Sequence, residues 1–175
     1  MVKLEKGYRK VTNKDKLFYF ERNFFTLDGL WMIEVENETN WDTALKIDTV
    51  VWKRLLKIIV RRIKNYLKIE TNTLQDLVEI LTFRWSVENW DYKVLETSTE
   101  NEVFIEITQC PYKAIMDRNP ERQDKAPLIC KDMCIPFYES IIKNFNPEIK
   151  IDRNYFMGLG DEHCDFHLKL KSGKE

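Results

Sequence analysis

Apolar side chains recur three and four residues apart at Leu17, Phe20, Phe24, Leu27, Trp31 and Val35. This spacing predicts one long amphipathic helix from Asn13 to about Asn37, with that stripe as its inward face. Thr39, Asn40 and Asp42 form a capping cluster, after which Ala44, Ile47, Val51, Leu55, Ile58, Tyr66 and Leu67 carry the same period to about Ile69. Thr71, Asn72 and Thr73 then restart a shorter helix bearing Leu74, Leu77, Val78 and Leu81, ending near Phe83.

Beyond Phe83 the period changes from helical to alternating. Trp90 to Thr97 and Val103 to Gln109 read as a hairpin around Ser98-Thr99-Glu100-Asn101, with Val103, Ile105 and Ile107 on one face. Asn119 to Pro127, rich in charge and bounded by prolines, reads as a loop. Met133 to Phe145 is a further helix, stopped by Asn146-Pro147. Ile149 to Tyr155 and Cys164 to Leu170 are two more strands, joined through the turn Gly158-Leu159-Gly160-Asp161. Helices and strands segregated in this order predict an α+β fold, with long N-terminal helices packed on an antiparallel sheet of about four strands.

Composition narrows this picture. The 175 residues, 43% apolar and 33% charged, suit a single domain over 1–175, with a helical half at 13–83 and a mixed half at 84–170. That balance excludes a disordered chain. A net charge of −1 gives no bulk attraction to nucleic acid or membrane, so a small-molecule ligand is the expected partner, with a homodimer left open. No run approaches the roughly 20 apolar residues of a membrane span, and Met1 to Lys6 lacks the apolar core of a signal peptide. A cytoplasmic location is expected. Cysteines there are reactive, metal-bound or plainly buried more often than paired.

All four cysteines, Cys110, Cys130, Cys134 and Cys164, lie beyond residue 109. Cys110 before Pro111 suits a helix N-cap, and Asp132 with Pro136 suits a helix start beside Cys134. Sulfur at a helix N-terminus is biased toward thiolate, the form that attacks electrophiles. The alternative is a small apolar side chain filling a junction. Together the four could hold zinc as Cys110, Cys130, Cys134 and Cys164, although the C-x3-C spacing departs from the usual C-x2-C knuckle. Strand alternation puts Cys164, Phe166, Leu168 and Leu170 inward and His163, Asp165, His167 and Lys169 on the opposite face.

In the N-terminal half, Asp28 falls between Phe24 and Trp31 of the apolar stripe, where an unpaired carboxylate would cost several kcal/mol. Asp28-Gly29 is either a turn that breaks the helix, or a base or anchor on an unbroken one, with an Arg or a backbone donor as its partner. In the second helix Lys53, Lys57, Arg61, Lys64 and Lys68, with Arg54 and Arg62 alongside, form a basic stripe. It reads as a solvated face rather than a phosphate contact.

The segment Cys130-Lys131-Asp132-Met133-Cys134, followed by Gly158-Leu159-Gly160-Asp161-Glu162-His163-Cys164-Asp165-Phe166-His167, resembles the end of the L-2-amino-thiazoline-4-carboxylic acid hydrolase family. Asp28-Gly29-Leu30-Trp31, Trp52 and Cys110-Pro111 are similar to a related bacterial and archaeal family of unknown function. Gly160 to Phe166 also resembles the end of the 4-vinyl reductase domain, a small-molecule-binding module. The first resemblance implies hydrolytic opening of a cyclic amidine, with water or a thiolate attacking the amidine carbon while donors stabilise the tetrahedral charge. It carries over Cys110, Cys134 and Asp28 as catalytic candidates and Trp31, Cys130 and Cys164 as ligand-binding ones. The last resemblance implies instead a non-catalytic ligand or metal sensor. Both place the chemistry in one pocket where the cysteines converge.

Overall fold

The computed structural model describes residues 10–171. Helix α1 spans Asn13–Glu38 and opens with a capping box in which the Thr12 hydroxyl accepts from the Asp15 N–H and the Asp15 carboxylate accepts from the Thr12 N–H. Helix α2, Trp41–Leu67, is capped by the Asn40 side chain and ends at Lys68 in the left-handed region, φ 58°. Helix α3, Leu74–Val87, repeats the capping box with Thr73 and Asp76. The polar breaks seen in the sequence therefore stop and start these helices by satisfying their end N–H groups.

Strands β1 (Asp91–Val94), β2 (Glu102–Gln109), β3 (Ile149–Asp152) and β4 (Cys164–Leu170) form one sheet in the order β1-β2-β4-β3, antiparallel throughout. Between β2 and β3 lie α4 (Pro111–Asp117), a 3-10 turn at Gln123–Lys125, α5 (Ala126–Ile129), a π-helical turn at Cys130–Cys134, and α6 (Ile135–Phe145). A further 3-10 turn, Met157–Leu159, precedes β4.

The α+β class read from the sequence is the observed one. Val103, Ile105 and Ile107 of β2 and Cys164, Phe166 and Leu168 of β4 are buried on one sheet face, as alternation requires. Helices α3 and α6 cover that face with Trp85 and Tyr138, whose rings pack on Phe166 at 5.0 and 4.8 Å. On the other face His167 stacks on Phe104 and bonds Glu102. In the basic stripe of α2 and its cap, Lys57, Arg61 and Lys68, with Arg54 and Arg62 alongside, are exposed, while Lys53 and Lys64 are half-buried. No helix among the described residues is long and apolar enough to cross a membrane.

Three expectations are corrected. Most of the α1 stripe from Leu17 to Trp31 does not face the core: Leu17, Phe20, Leu27 and Trp31 are 56–68% exposed, only Phe24 of the five packs on Trp52, and no residue of α1 is buried. Aromatic and aliphatic residues surround this helix, so its period could not choose a side. In α2 the buried line is Ala44, Asp48, Trp52, Leu56 and Ile63, whereas Ile47, Val51, Ile58 and Tyr66 lie outside. The inward face is thus displaced by about one residue, toward the side that carries a tryptophan and a carboxylate. Finally, the loop expected up to Pro127 already turns helical at Gln123 and becomes α-helical at Ala126, because Pro127 occupies a first-turn position where a missing N–H costs nothing.

The candidate ligand cavity

A cavity of about 200 Å³ lies between α1, α2 and the α4–α6 segment. Each wall is built by helical spacing. Phe25, Asp28, Gly29 and Met32 come from successive turns of α1, and Trp41, Asp48 and Trp52 from α2. Ile129, Cys130, Met133, Cys134, Phe137 and Tyr138 come from the run joining α5 to α6. Tyr112 and Cys110 on α4, Arg84 on α3 and Trp90 complete the lining. The rings are mutually packed edge to face: Trp52 meets Phe24, Tyr112 and Phe137 at centroid distances of 6.1, 5.4 and 6.2 Å, and Phe25 meets Tyr112 at 5.2 Å.

Helix α1 runs unbroken through Asp28-Gly29, so the turn reading of that pair is set aside. A side-chain carbon at Gly29 would meet nothing within 4 Å, so close approach of another backbone does not explain this glycine. Asp28 finds neither an arginine nor a backbone donor. Its Oδ1 accepts from the indole Nε1 of Trp52 at 3.0 Å. Burial outweighs that bond and pushes its pKa from an ordinary 3.8 to about 6. Asp48 is 6% exposed and has no hydrogen bond or ion pair among the described residues. Burial, then the nearby charge of Asp28, pushes it up to about 7.

Every cation on the wall is already matched with an acid. Arg84 Nε bonds Glu88 at 2.8 Å, Arg122 bonds Glu36, and Lys113 bonds Asp117 at 2.6 Å. Asp28 and Asp48 are left over. The hydroxyl of Tyr112 and the Nε of Arg122 are buried without a hydrogen-bond partner. Such groups cost free energy unless a ligand or ordered water serves them.

Of the expected site residues, Asp28, Cys110, Cys130 and Cys134 are brought to this cavity. Cys164 and Trp31 are not. Cys164 is buried at the start of β4, its sulfur accepting from the Met157 N–H at 3.2 Å. Trp31 is 56% exposed on the outer side of α1. Cys110 does cap α4, with Pro111 next. Its thiol nevertheless lies at about 12, because burial raises it more than the α4 N–H groups lower it. Burial likewise takes Cys130 to about 12. The expected thiolate bias at Cys110 is therefore reversed.

Cys134 sits inside a continuous helical run, not at a helix start. The π turn, closed by the Ile135 N–H on the Cys130 carbonyl, widens the backbone just where Pro136 withholds a donor. Its sulfur accepts from Arg153 Nη1 at 3.4 Å. The four-sulfur zinc site does not form: no three His, Cys, Asp or Glu side chains among the described residues stand close enough to hold a metal ion. All four cysteines are free thiols.

Sequence reasoning missed Asp48, Trp41, Trp90, Tyr112 and Arg84. A signal for Asp48 was present, since Ala44, Asp48, Trp52 and Leu56 form an i, i+4 ladder that places a carboxylate in a buried row. Fold and cavity together define an α+β domain in which helices enclose an aromatic chamber beside the sheet. The chain belongs to the family of unknown function DUF6125, matched over residues 10–165. No curated protein and no solved structure matches it.

Proposed function

We propose that this protein binds a compact cationic nitrogen compound, an amidinium or protonated amine carried on a single ring, in the aromatic cavity. The observation that carries this reading is the pair Asp28 and Asp48, two carboxylates without a cation in a chamber whose own cations are all matched elsewhere. A positive ligand would supply the missing counter-charge. The indole of Trp52 and the phenol of Tyr112 would add cation–π attraction, worth roughly 0.5–2 kcal/mol per well-placed ring. Size agrees: an engineered cavity of roughly 150 Å³ in another protein takes benzene, and this one measures about 200 Å³.

A second reading, hydrolytic ring opening of a cyclic amidine, draws on the thiazoline-hydrolase resemblance and on the same two carboxyl groups. Side chains that titrate near 6 and 7 are matched to proton transfer at neutral pH. Water would add to the amidinium carbon and give its proton to the ionised carboxylate. The tetrahedral adduct of a thiazoline would then expel the ring sulfur as a thiol that takes this proton back, leaving an N-carbamoyl product once the adduct's hydroxyl proton is released. The buried thiols Cys110 and Cys130 are poor nucleophiles in this setting.

The deciding measurement is calorimetric titration with benzamidine, with neutral benzamide as control. Benzamidine binds and benzamide does not; Asp48→Asn lowers benzamidine affinity about tenfold or more. Equal affinity for both compounds would sink the cationic assignment. Mass spectrometry after incubation with a 2-aminothiazoline tests the second reading by a gain of one water, lost in Asp48→Asn.

A further inference from the structure

Helix α1 has an outer seam that no other element among the described residues covers. Lys16, Phe20, Asn23, Leu27, Leu30 and Glu34 are all exposed and follow one another at alternating steps of four and three, the repeat of a helix that packs against another helix. Phe20 and Leu27 are both 68% exposed and Leu30 is 52% exposed, with Trp31 beside them at 56%. Large apolar groups in a row of this kind mark an interaction surface.

The seam is also ordered by charge. Its N-terminal end carries Lys16, with Lys14 two positions earlier on another flank of the helix, and its C-terminal end carries Glu34 and then Glu38. None of these four enters an ion pair among the described residues. A surface that runs from cation through hydrocarbon to anion is complementary to itself when reversed. That is the requirement of a two-fold contact, in which the same patch serves both partners.

We infer that the partner for this seam is a second copy of the chain, docked antiparallel along α1 by a two-fold axis that passes between Asn23 and Leu27. Lys16 of one protomer then meets the Glu34–Glu38 end of the other, and Phe20 packs toward Leu30 and Trp31 across the axis. Aromatic side chains bury about 150–250 Å² each. The seam reaches on the order of 1,000 Å² in total, the lower edge of specific interfaces. A reversible, concentration-dependent dimer is expected rather than an obligate one. Both protomers then hold α1 against their own bodies, where it is tied by Trp52 to Asp28, Arg122 to Glu36, and Asn89 to Glu21 at 2.9 Å. The inference does not depend on what the cavity binds.

Sedimentation velocity across a concentration series of the full chain reads the dimer directly. Leu27→Glu sets like charges against each other near the axis and should weaken association about thirtyfold or more, with the circular dichroism spectrum unchanged because the position is exposed. Lys16→Glu and Glu34→Lys should each weaken it, and the double reversal should restore it, since the swapped charges again match across an antiparallel pair. A monomer at every concentration would overturn the inference. So would a dimer indifferent to Leu27→Glu, or a double reversal no better than the single changes. A chain that stays monomeric yet sediments with anionic vesicles would show that a lipid surface, not a second copy, covers the seam.

Discussion

Asp48 illustrates how far one side chain can depart from its usual role. A carboxylate at 6% exposure with no protein donor is destabilising whenever it is ionised. Because Asp28 and Asp48 titrate near 6 and 7 in the folded chain and near 3.8 when unfolded, the folded state holds more protons between those values. Stability must then fall as pH rises from about 4 to about 7, by a few kcal/mol in total, and level off above. Urea denaturation at pH 5 and pH 8 checks the sign. Asp48→Asn should remove much of this slope and leave the protein more stable than the parent at pH 8, by about 1–3 kcal/mol. A bound cation should reverse the trend, with benzamidine affinity rising through the same interval. The sequence placed Asp28 beside an apolar row but assigned it an arginine or backbone donor. That its partner is an indole 24 positions away could not be read from local spacing.

Among the elements, the run from α5 through the π turn into α6 decides the most. Its extra residue turns Cys130, Met133, Cys134 and Phe137 toward the cavity while letting Pro136 remain in the helix. The 3-10 turn at Met157–Leu159 fits against it with little tolerance: a side-chain carbon at Gly158 would lie 2.2 Å from the Cys130 sulfur and 3.2 Å from the Ala126 carbonyl. Gly158→Ala should therefore cost about 1–3 kcal/mol, read as a lower urea midpoint with unchanged slope. In the sequence this glycine was legible only as a turn former, because the surface it approaches comes from a separate segment. The same limit explains α1. Periodicity identified the helix and its extent to within a residue or so, yet its densest apolar row proved to be the outward one. Periodicity reports which residues share a face, not what that face meets.

For the whole molecule, the sheet and helices are clamped together by one buried polar network. Arg84, 4% exposed, bonds Glu88 from Nε and donates from Nη1 to the Tyr138 hydroxyl at 3.3 Å; that hydroxyl also accepts from Trp85 Nε1 at 3.0 Å. Glu88 in turn receives the Trp90 indole at 3.1 Å. The network thus joins α3, the entry to β1 and α6 behind the cavity. Arg84→Ala should destabilise the fold by about 3–5 kcal/mol, since Glu88 is left as an uncompensated, largely buried charge. A thermal unfolding transition that moves by only a degree or two would contradict this account. The α+β class, the strand faces and the single-chain arrangement of helices before strands were readable, because each depends on a local repeat. Strand order was not, since β4 inserts between β2 and β3 through contacts remote in sequence.

By itself, the sequence determined where the three N-terminal helices begin and which segments form the strands, since capping residues and alternation act within a few positions of themselves; it did not place the helical run from Ala126 to Cys134. It also determined that Cys110 caps a helix and that Cys164 points inward from its strand. Tertiary structure alone decided that two aspartates from neighbouring helices share a cavity, and that three thiols line it without forming a metal site. It alone decided, too, that the outer row of α1 is left bare by the other described residues. The physical reason is common to all three: burial and electrostatic partnership depend on distances between segments far apart along the chain, and no periodicity within one segment encodes them.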